Sequence, residues 1–307
     1  KSLLNSEVYL TDLCDYTLCP LDETPMNSVI LIHMTKAIAA LLLLISCHFV
    51  TANDATGLSN NILIKSTHLG YDVQYRIFIP KNYSDFADLP TIYVTDGQGY
   101  IKGGAMPRLM KKLIAQNRIR PTIGVFIDSR DPDDLSHNRR NSQFSCNYQY
   151  FEFVTKELVK TIDSNYRTSQ IAEDRVILGS SYGGMNSACF GLLASETFSG
   201  IAIQSPQILP VPELIKYYEQ SERLPLKFYI STGARNDGRR QAKTLYKTLK
   251  EKGYPVKYRK VPGSHNWYNW RPLLDEILVY YFPLKKPVSK VSLTEGRAGT
   301  VPSDIDR

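Results

Sequence analysis

The feature that most constrains the fold is an alternation of short apolar runs with segments of helical periodicity, which begins near residue 91. The apolar runs are rich in valine, isoleucine and tyrosine, as is typical of buried strands. Strands that alternate with amphipathic helices predict a mostly parallel sheet covered on both faces, and such sheets bind ligands at the carboxyl ends of their strands. The predicted strands are 91–94, 123–127, 175–178, 200–203, 227–230 and 256–261, after an antiparallel hairpin of 62–64 and 74–79. The predicted helices are 105–116, 150–166, 184–196, 212–223, 240–252 and 272–282.

A glycine-rich segment between one predicted strand and one predicted helix carries two serines. Residues 179–183 read Gly-Ser-Ser-Tyr-Gly and fit Gly-x-Ser-x-Gly, the nucleophile elbow of α/β-hydrolases, where a sharp turn exposes the serine hydroxyl above the sheet. The glycines would let the strand and helix backbones approach closely. Ser181 is therefore the predicted nucleophile, although a serine- and glycine-rich loop before a helix would give the same local pattern.

The order of residues along the chain selects the partners of Ser181. A serine hydroxyl needs a base that is itself oriented by a third group, and in α/β-hydrolases the order is serine, acid, histidine. His265 is the only histidine after Ser181, and Asp237 is the only aspartate between the two. Both directly follow predicted strands, whereas the glutamates of the same window fall on predicted helices or helix ends. We therefore predict a triad of Ser181, Asp237 and His265.

Backbone N–H groups are predicted to bind the oxyanion that forms during acyl transfer. One donor in such a site is the residue after the nucleophile, here Tyr182, and the other lies in a loop after an earlier strand. The segment 95–99 follows the strand 91–94, so Gln98 or Gly97 is the predicted second donor. Its glycines lack the Gly-x-Gly-x-x-Gly spacing of a nucleotide site, and no cysteine–histidine cluster has metal-ligand spacing. We predict neither a cofactor nor a metal.

Four motifs together resemble the esterase family that includes enterochelin, feruloyl and acetyl-xylan esterases, S-formylglutathione hydrolases and mycolyltransferases. The resemblance covers about 61–282 and is nearest the enterochelin-esterase branch in the stretch 140–147. It implies an α/β-hydrolase fold and serine ester hydrolysis. Two departures, Gln143 where the family often has Glu and Asn266 where it usually has Asp, do not touch the triad. The motifs are Asp96-Gly97-Gln98, 140–147 ahead of a helix with Glu157-Leu158, 179–184, and 264–267 with Trp270-Arg271.

The two ends of the chain differ from the core. Met34 opens a short basic start that leads into an apolar run too short to span a bilayer, and a small-residue cleavage site ends at Ala52. We predict an upstream segment of non-native or untranslated origin at 1–33, a signal peptide at 34–52, a catalytic domain at 53–283 and a disordered tail at 284–307. The sequence before Cys47 also resembles a bacterial lipobox, so lipidation of Cys47, which would tether the protein to a membrane, is the alternative to cleavage after Ala52. Both interpretations indicate a periplasmic or extracellular protein.

The net charge and the cysteines of the predicted mature chain indicate which kinds of partner it could bind and in which compartment it could lie. Residues 1–52 carry two Lys/Arg and five Asp/Glu, so their removal would raise the net charge from +7 to +10. The basic residues are scattered and not interleaved with aromatics, which argues against a nucleic-acid partner, while a basic surface would attract anionic substrates. Cys146 and Cys189, the two cysteines of the predicted mature chain, could pair in an oxidising compartment.

The expected activity is that of a serine carboxylic-ester hydrolase acting on a siderophore lactone or on an aryl or acetyl ester of a polysaccharide. An acyltransferase that uses the same acyl-enzyme, or a catalytically silent binding module, is the alternative. The predicted substrate contacts are Arg140, Arg235, Trp267 and Trp270, with Tyr148, Tyr150 and Tyr268 as further candidate walls for an aryl or sugar group.

Overall fold

A computed structural model of the chain describes residues 56–86 and 88–284. Nine strands of this part form one mixed sheet in the order β1-β3-β5-β4-β6-β7-β8-β9, with β2 paired to β3. The predicted upstream segment and signal peptide, and all of the predicted tail except Leu284, lie outside the described residues. The strands are β1 (Gly57–Leu58), β2 (Ile62–Lys65), β3 (Asp72–Ile79), β4 (Thr91–Val94), β5 (Ile123–Asp128), β6 (Arg175–Ser180), β7 (Gly200–Gln204), β8 (Lys227–Gly233) and β9 (Val256–Val261).

The sheet is antiparallel at its beginning and parallel thereafter. β3 pairs in antiparallel fashion with β1, β2 and β5. From β5 onward every neighbouring pair is parallel, through β4, β6, β7 and β8 to β9. The predicted opening hairpin and the predicted parallel sheet are both confirmed. The carboxyl ends of β4, β6, β7, β8 and β9 consequently share one edge of the sheet.

Helices connect the parallel strands, and most begin within a few residues of their predicted start. The helices are α1 (Gly97–Lys102), α2 (Met106–Ala115), α3 (Arg140–Phe144), α4 (Tyr148–Glu152), α5 (Val159–Asn165), α6 (Tyr182–Leu193), α7 (Leu214–Gln220), α8 (Arg239–Glu251), α9 (Trp267–Trp270) and α10 (Leu274–Tyr281). A π-helical stretch at Phe153–Leu158 joins α4 to α5, so the predicted helix 150–166 is present but not regular. The short helices α1, α3 and α9 were not predicted. None of the helices within the described residues has the length and apolar character needed to cross a membrane.

Apolar side chains pack on both faces of the sheet. Successive residues of a strand point to opposite faces, so Tyr93 of β4 joins one buried cluster while its neighbours Ile92 and Val94 join the other. Helices α6, α7 and α8 pack on the face of Tyr93, and α2 and α10 pack on the opposite face. Because both faces are covered, the parallel strands read as continuous apolar runs rather than as alternating ones.

A disulfide joins Cys146 to Cys189, with 5.4 Å between their Cα atoms. Cys146 lies just before α4 and Cys189 lies within α6, so the bond ties the segment 140–147 to α6. Closing a loop across 43 residues restricts the unfolded chain.

We expect reduction of this disulfide to lower the free energy of unfolding by about 2–4 kcal/mol. Urea unfolding with and without dithiothreitol measures the change. The control is Cys146→Ser, in which the reductant should have no further effect on the unfolding midpoint. Equal midpoints for the oxidised and reduced wild type would contradict the prediction.

Candidate active site

Ser181 stands in a strained turn between β6 and α6. Its backbone has φ 60° and ψ −121°, a conformation that L residues rarely adopt and that marks functional turns. The turn is held by its own backbone, because the N–H of Ser181 donates to the carbonyl of Gln204 at 2.9 Å and its carbonyl accepts from the N–H of Gln207 at 3.1 Å. Ser180 is buried at the end of β6, whereas Ser181 is partly exposed. The geometry thus presents Ser181, and not Ser180, at the sheet edge.

Glycine is needed on both sides of Ser181 because neighbouring backbone or side-chain atoms leave no room for a Cβ there. A Cβ on Gly179 would lie 2.2 Å from the carbonyl oxygen of Gly183, and a Cβ on Gly183 would lie 2.7 Å from Oγ1 of Thr95. Neither separation is possible for a real side chain. The two glycines therefore allow the close approach that the sequence predicts, and this approach makes the sharp turn at Ser181 possible.

Asp237 and His265 form a hydrogen-bonded pair at the same edge of the sheet. Nδ1 of His265 lies 2.7 Å from Oδ1 of Asp237, whose side chain is 0% exposed. Asp237 follows β8 and His265 follows β9, as predicted from the chain order. Within the described residues the Ser181 hydroxyl and Nε2 of His265 make no hydrogen bond; such contacts often form only when substrate is bound.

The second oxygen of Asp237 is held by groups that the sequence did not indicate. Oδ2 accepts hydrogen bonds from Oγ of Ser205 at 2.6 Å, from Nδ2 of Asn269 at 2.8 Å and from the backbone N–H of Gly233. Ser205 in turn accepts from Nε1 of Trp270 at 2.8 Å. Because both oxygens of the buried carboxylate are held by hydrogen bonds, Asp237 is fixed in the orientation that faces His265.

Burial alone would raise the pKa of Asp237, but hydrogen bonds from His265, Ser205 and Gly233 outweigh it and the pKa lies below its ordinary value of 3.8. Asp237 therefore keeps its charge whenever the protein is folded near neutral pH. A carboxyl whose pKa is lowered by folding stabilises the fold above its unfolded pKa and loses that contribution as the pH falls through the folded one.

We therefore expect the stability advantage of the wild type over Asp237→Asn to shrink as the pH falls below 3.8. Urea unfolding of both proteins across the acid range measures the difference in unfolding free energy. A difference that stays constant through this range would contradict the assigned ionisation of Asp237.

Two helix starts supply the predicted oxyanion donors. Tyr182 is the first residue of α6, and Gly97 and Gln98 are the first two residues of α1, so their N–H groups have no partner within their own helices. Within the described residues none of the three donates to another group. Asp96, the residue before α1, has φ 52°, and this left-handed conformation turns the chain into the helix. All three donors therefore lie at the edge that carries Ser181.

Arg140 has a protein partner where the sequence suggested a substrate contact. Its Nη2 and Nε lie 2.7 and 3.1 Å from Oδ2 of Asp96, and its guanidinium lies 5.3 Å from the ring centroid of Tyr182. Oγ of Ser129 also donates to Asp96, at 3.1 Å. Because Asp96 precedes one set of donors and Tyr182 carries the other, Arg140 links the two halves of the predicted oxyanion site.

We expect Arg140→Met to lower kcat by about 10- to 100-fold with a smaller change in KM, because displaced oxyanion donors act mainly in the transition state. Arg140→Lys should recover little, since a lysine cannot form the two-pronged contact. The matched control is Arg139→Met: Arg139 is paired with Asp131 instead of Asp96. Equal kcat values for Arg140→Met and Arg139→Met would contradict the positioning role.

The aromatic residues that were predicted to line the substrate site lie in three different environments. Trp267 lies against α1, where a Cβ on Gly103 would be 2.5 Å from its Nε1, and it lines a cleft of about 600 Å³ together with Gln98. Trp270 is buried and packs edge-on against the ring of His265, with 5.0 Å between the ring centroids. Tyr150 is a core residue because α4 turns its ring inward, while Tyr148 and Tyr268 are exposed.

The structure also describes Arg235 and the two residues that depart from the usual family pattern, Gln143 and Asn266. Arg235 is exposed on the loop that carries Asp237 and lines a second cleft. Gln143 is buried, and its Nε2 donates to the hydroxyl of Tyr71 at 3.0 Å. Asn266 caps α9 by accepting from the N–H of Tyr268 at 3.1 Å, a task that asparagine performs as well as the usual aspartate. Within the described residues no group of three or more His, Cys, Asp or Glu is arranged to hold a metal ion.

The sequence matches the model of a known protein family. The model of the family described as "Putative esterase" matches residues 66–281. The chain belongs to this esterase family. As a member it is a carboxylic ester hydrolase, and the resemblance noted in the sequence is confirmed.

Three known proteins align with most of the chain. YjcH of Bacillus subtilis is 26% identical over 225 residues, which are 69% of this chain and 92% of that protein. The solved structure of the enterobactin esterase FES from Shigella flexneri superposes with a TM-score of 0.65 at 23% identity, covering 72% of this chain and 58% of that one. A ferulic acid esterase superposes with a TM-score of 0.64 at 18% identity, covering 74% and 98%. The chain thus spans little more than half of the enterobactin esterase, and these superpositions establish the α/β-hydrolase fold.

Proposed function

We propose that this esterase acts through a Ser181–His265–Asp237 triad and an acyl-enzyme intermediate. The observation that carries the proposal is the 2.7 Å bond between His265 and the fully buried Asp237, at the sheet edge where the turn raises Ser181. A buried carboxylate that holds the Nδ1 proton of a histidine leaves Nε2 free to act as a base. The side chain of His265 is 34% exposed, which leaves the ring open to substrate and water.

The proposed reaction has two halves. Ser181 Oγ attacks the ester carbonyl while Nε2 of His265 takes its proton, and the N–H groups of Tyr182 and of Gln98 or Gly97 bind the oxyanion. The carbon–oxygen bond to the alcohol then breaks, and His265 returns the proton to the departing alcohol. Water then attacks the acyl group on Ser181 while Nε2 of His265 takes its proton. The bond from the acyl carbon to Oγ breaks, His265 passes the proton to Oγ, and the acid and the free serine are released.

We propose a siderophore lactone or an aryl or acetyl ester of a polysaccharide as substrate. The solved relatives named as an enterobactin esterase and a ferulic acid esterase support these classes. The cleft beside Gln98 supports an aryl or sugar group as well, because its wall includes the indole of Trp267.

The proposed location is the periplasm or the exterior of the cell, with a signal peptide at 34–52 and lipidation of Cys47 as the alternative to cleavage. The disulfide between Cys146 and Cys189 supports an oxidising compartment. Intact-mass analysis of the protein from its native host distinguishes a chain that begins after Ala52 from one that is acylated at Cys47.

Hydrolysis of p-nitrophenyl acetate by the full chain tests the proposal, with Ser181→Ala as the blank. Added alcohols or sugars separate hydrolase from acyltransferase, because a transferase would form new esters at the expense of free acetate. Equal inactivity of wild type and Ser181→Ala toward small and aryl esters alike would favour a silent binding module.

A further inference from the structure

A second cleft, of about 830 Å³, borders the loop that carries Asp237. We call it the arginine cleft, because Arg235, Arg239 and Arg240 line it together with Gln207 and Gln241. All three arginines are exposed at its walls. Guanidinium groups keep their charge at every physiological pH, so the cleft is permanently cationic.

In the part of the chain that the structure describes, no carboxylate is paired with these three arginines. Asp237 is the acidic residue that lines the cleft, and its side chain is fully buried and committed to His265, Ser205 and Asn269. Within the described residues none of the three arginines forms an ion pair, although several other arginines do, including Arg130 and Arg175. Three unpaired guanidiniums around one cavity repel one another unless an anion lies between them.

The start of helix α8 adds to the positive potential. Arg239 and Arg240 are its first two residues, its first turn holds no acidic residue, and no side chain caps it. Cations are unfavourable at the positive end of a helix, where the free N–H groups favour an anion. An oxyanion in the arginine cleft would satisfy these N–H groups and the guanidiniums together.

The arginine cleft adjoins the candidate active site. Gln207 on its wall donates from its backbone N–H to the carbonyl of Ser181 at 3.1 Å. On the adjacent wall, Asp237 is the residue that orients His265. The arginine cleft and the candidate active site are therefore linked through the segments that carry Gln207 and Asp237.

We propose that the arginine cleft binds an oxyanion group carried by the substrate, a carboxylate, sulfate or phosphate, and that the enzyme selects acidic esters over neutral ones. The inference rests on the proposed function for its consequence in catalysis. Arginine is suited to the task because its planar fork binds such groups through paired hydrogen bonds.

The test compares acidic and neutral esters of similar shape. One pair, 4-acetoxybenzoate and 4-acetoxybenzamide, places the charge on the departing alcohol, and a second pair, mono-p-nitrophenyl succinate and p-nitrophenyl butyrate, places it on the acyl group. The measured quantity is the ratio of kcat/KM for the acidic ester to that for its neutral partner. Intrinsic reactivity cancels when this ratio is compared between variants.

In the double variant Arg239→Gln/Arg240→Gln we expect this ratio to fall about tenfold for at least one pair, and the wild-type ratio to decline with added salt. Lys243→Gln/Lys247→Gln is the matched control. It removes the same charge from exposed positions of the same helix outside the cleft, and should keep the wild-type ratio. Equal ratios in the two double variants for both ester pairs would overturn the inference.

Binding to a protein without the nucleophile separates this inference from the proposed mechanism. Calorimetric titration of Ser181→Ala with 4-acetoxybenzoate and with 4-acetoxybenzamide needs no turnover. Tighter binding of the acid, lost when Arg239→Gln/Arg240→Gln is added, supports the cleft even if Ser181 proves not to be the nucleophile. Equal affinities for acid and amide overturn the inference even if the esterase mechanism holds.

Discussion

Replacement of Ser181 by alanine is expected to lower kcat for p-nitrophenyl acetate by on the order of 10⁴-fold or more, to the level of the oxyanion donors and binding alone. The loss is large because the variant has no atom to form the acyl-enzyme. Steady-state release of p-nitrophenolate measures it. The fold should be unaffected, because alanine is smaller than serine and the Ser181 hydroxyl makes no hydrogen bond within the described residues.

Ser180 provides the matched control. Ser180→Ala removes the same hydroxyl one residue earlier, from a side chain that is buried at the end of β6. We expect it to keep activity within about tenfold of the wild type, consistent with a modest change in packing. Comparable losses from both substitutions would mean that the turn and not its central serine is required.

Replacement of His265 by glutamine is expected to cost a similar amount, because without the base Ser181 stays protonated and the departing alcohol receives no proton. The reduction in kcat should again be on the order of 10⁴-fold or more. Combining His265→Gln with Ser181→Ala should add little to either, since residues that act as one unit are not additive.

His68 is the control for this substitution. It is paired with Glu152 at 3.1 Å and has no contact with Asp237. His68→Gln should change the unfolding midpoint modestly and leave kcat close to that of the wild type. If His265→Gln retained most of the activity, the pairing of His265 with Asp237 would be structural and the base would have to be sought elsewhere.

The strands of the fold could be predicted because their signal is local. Each parallel strand is a short apolar run between polar turns, and burial on both faces makes that run continuous. The helices α1, α3 and α9 lack such a signal. They are only four to six residues long, and α1 contains two glycines, so their formation depends on tertiary contacts such as the packing of Trp267 on Gly99 and Gly103.

The positions of Ser181, Asp237 and His265 at one edge of the sheet could be predicted because chain order and strand ends confine them. The groups around Asp237 could not, since Ser205 and Asn269 come from separate elements and carry no motif. Ser205 has φ 46°, a conformation that its sequence does not suggest. The pairing of Arg140 with Asp96 could not be predicted for a related reason: Asp96 lies 44 residues earlier, and only the folded chain brings the two together.

The most direct test of the mechanism is the site of covalent modification by diethyl p-nitrophenyl phosphate, whose phosphoryl group stays on an activated serine because water displaces it slowly. The full chain is incubated with the reagent, digested and mapped by mass spectrometry, alongside Ser181→Ala and His265→Gln. The account predicts one diethylphosphoryl group on Ser181 in the wild type, none in Ser181→Ala and much slower labelling in His265→Gln. Labelling at another residue, or an inert Ser181 in a protein that hydrolyses p-nitrophenyl acetate, would contradict it.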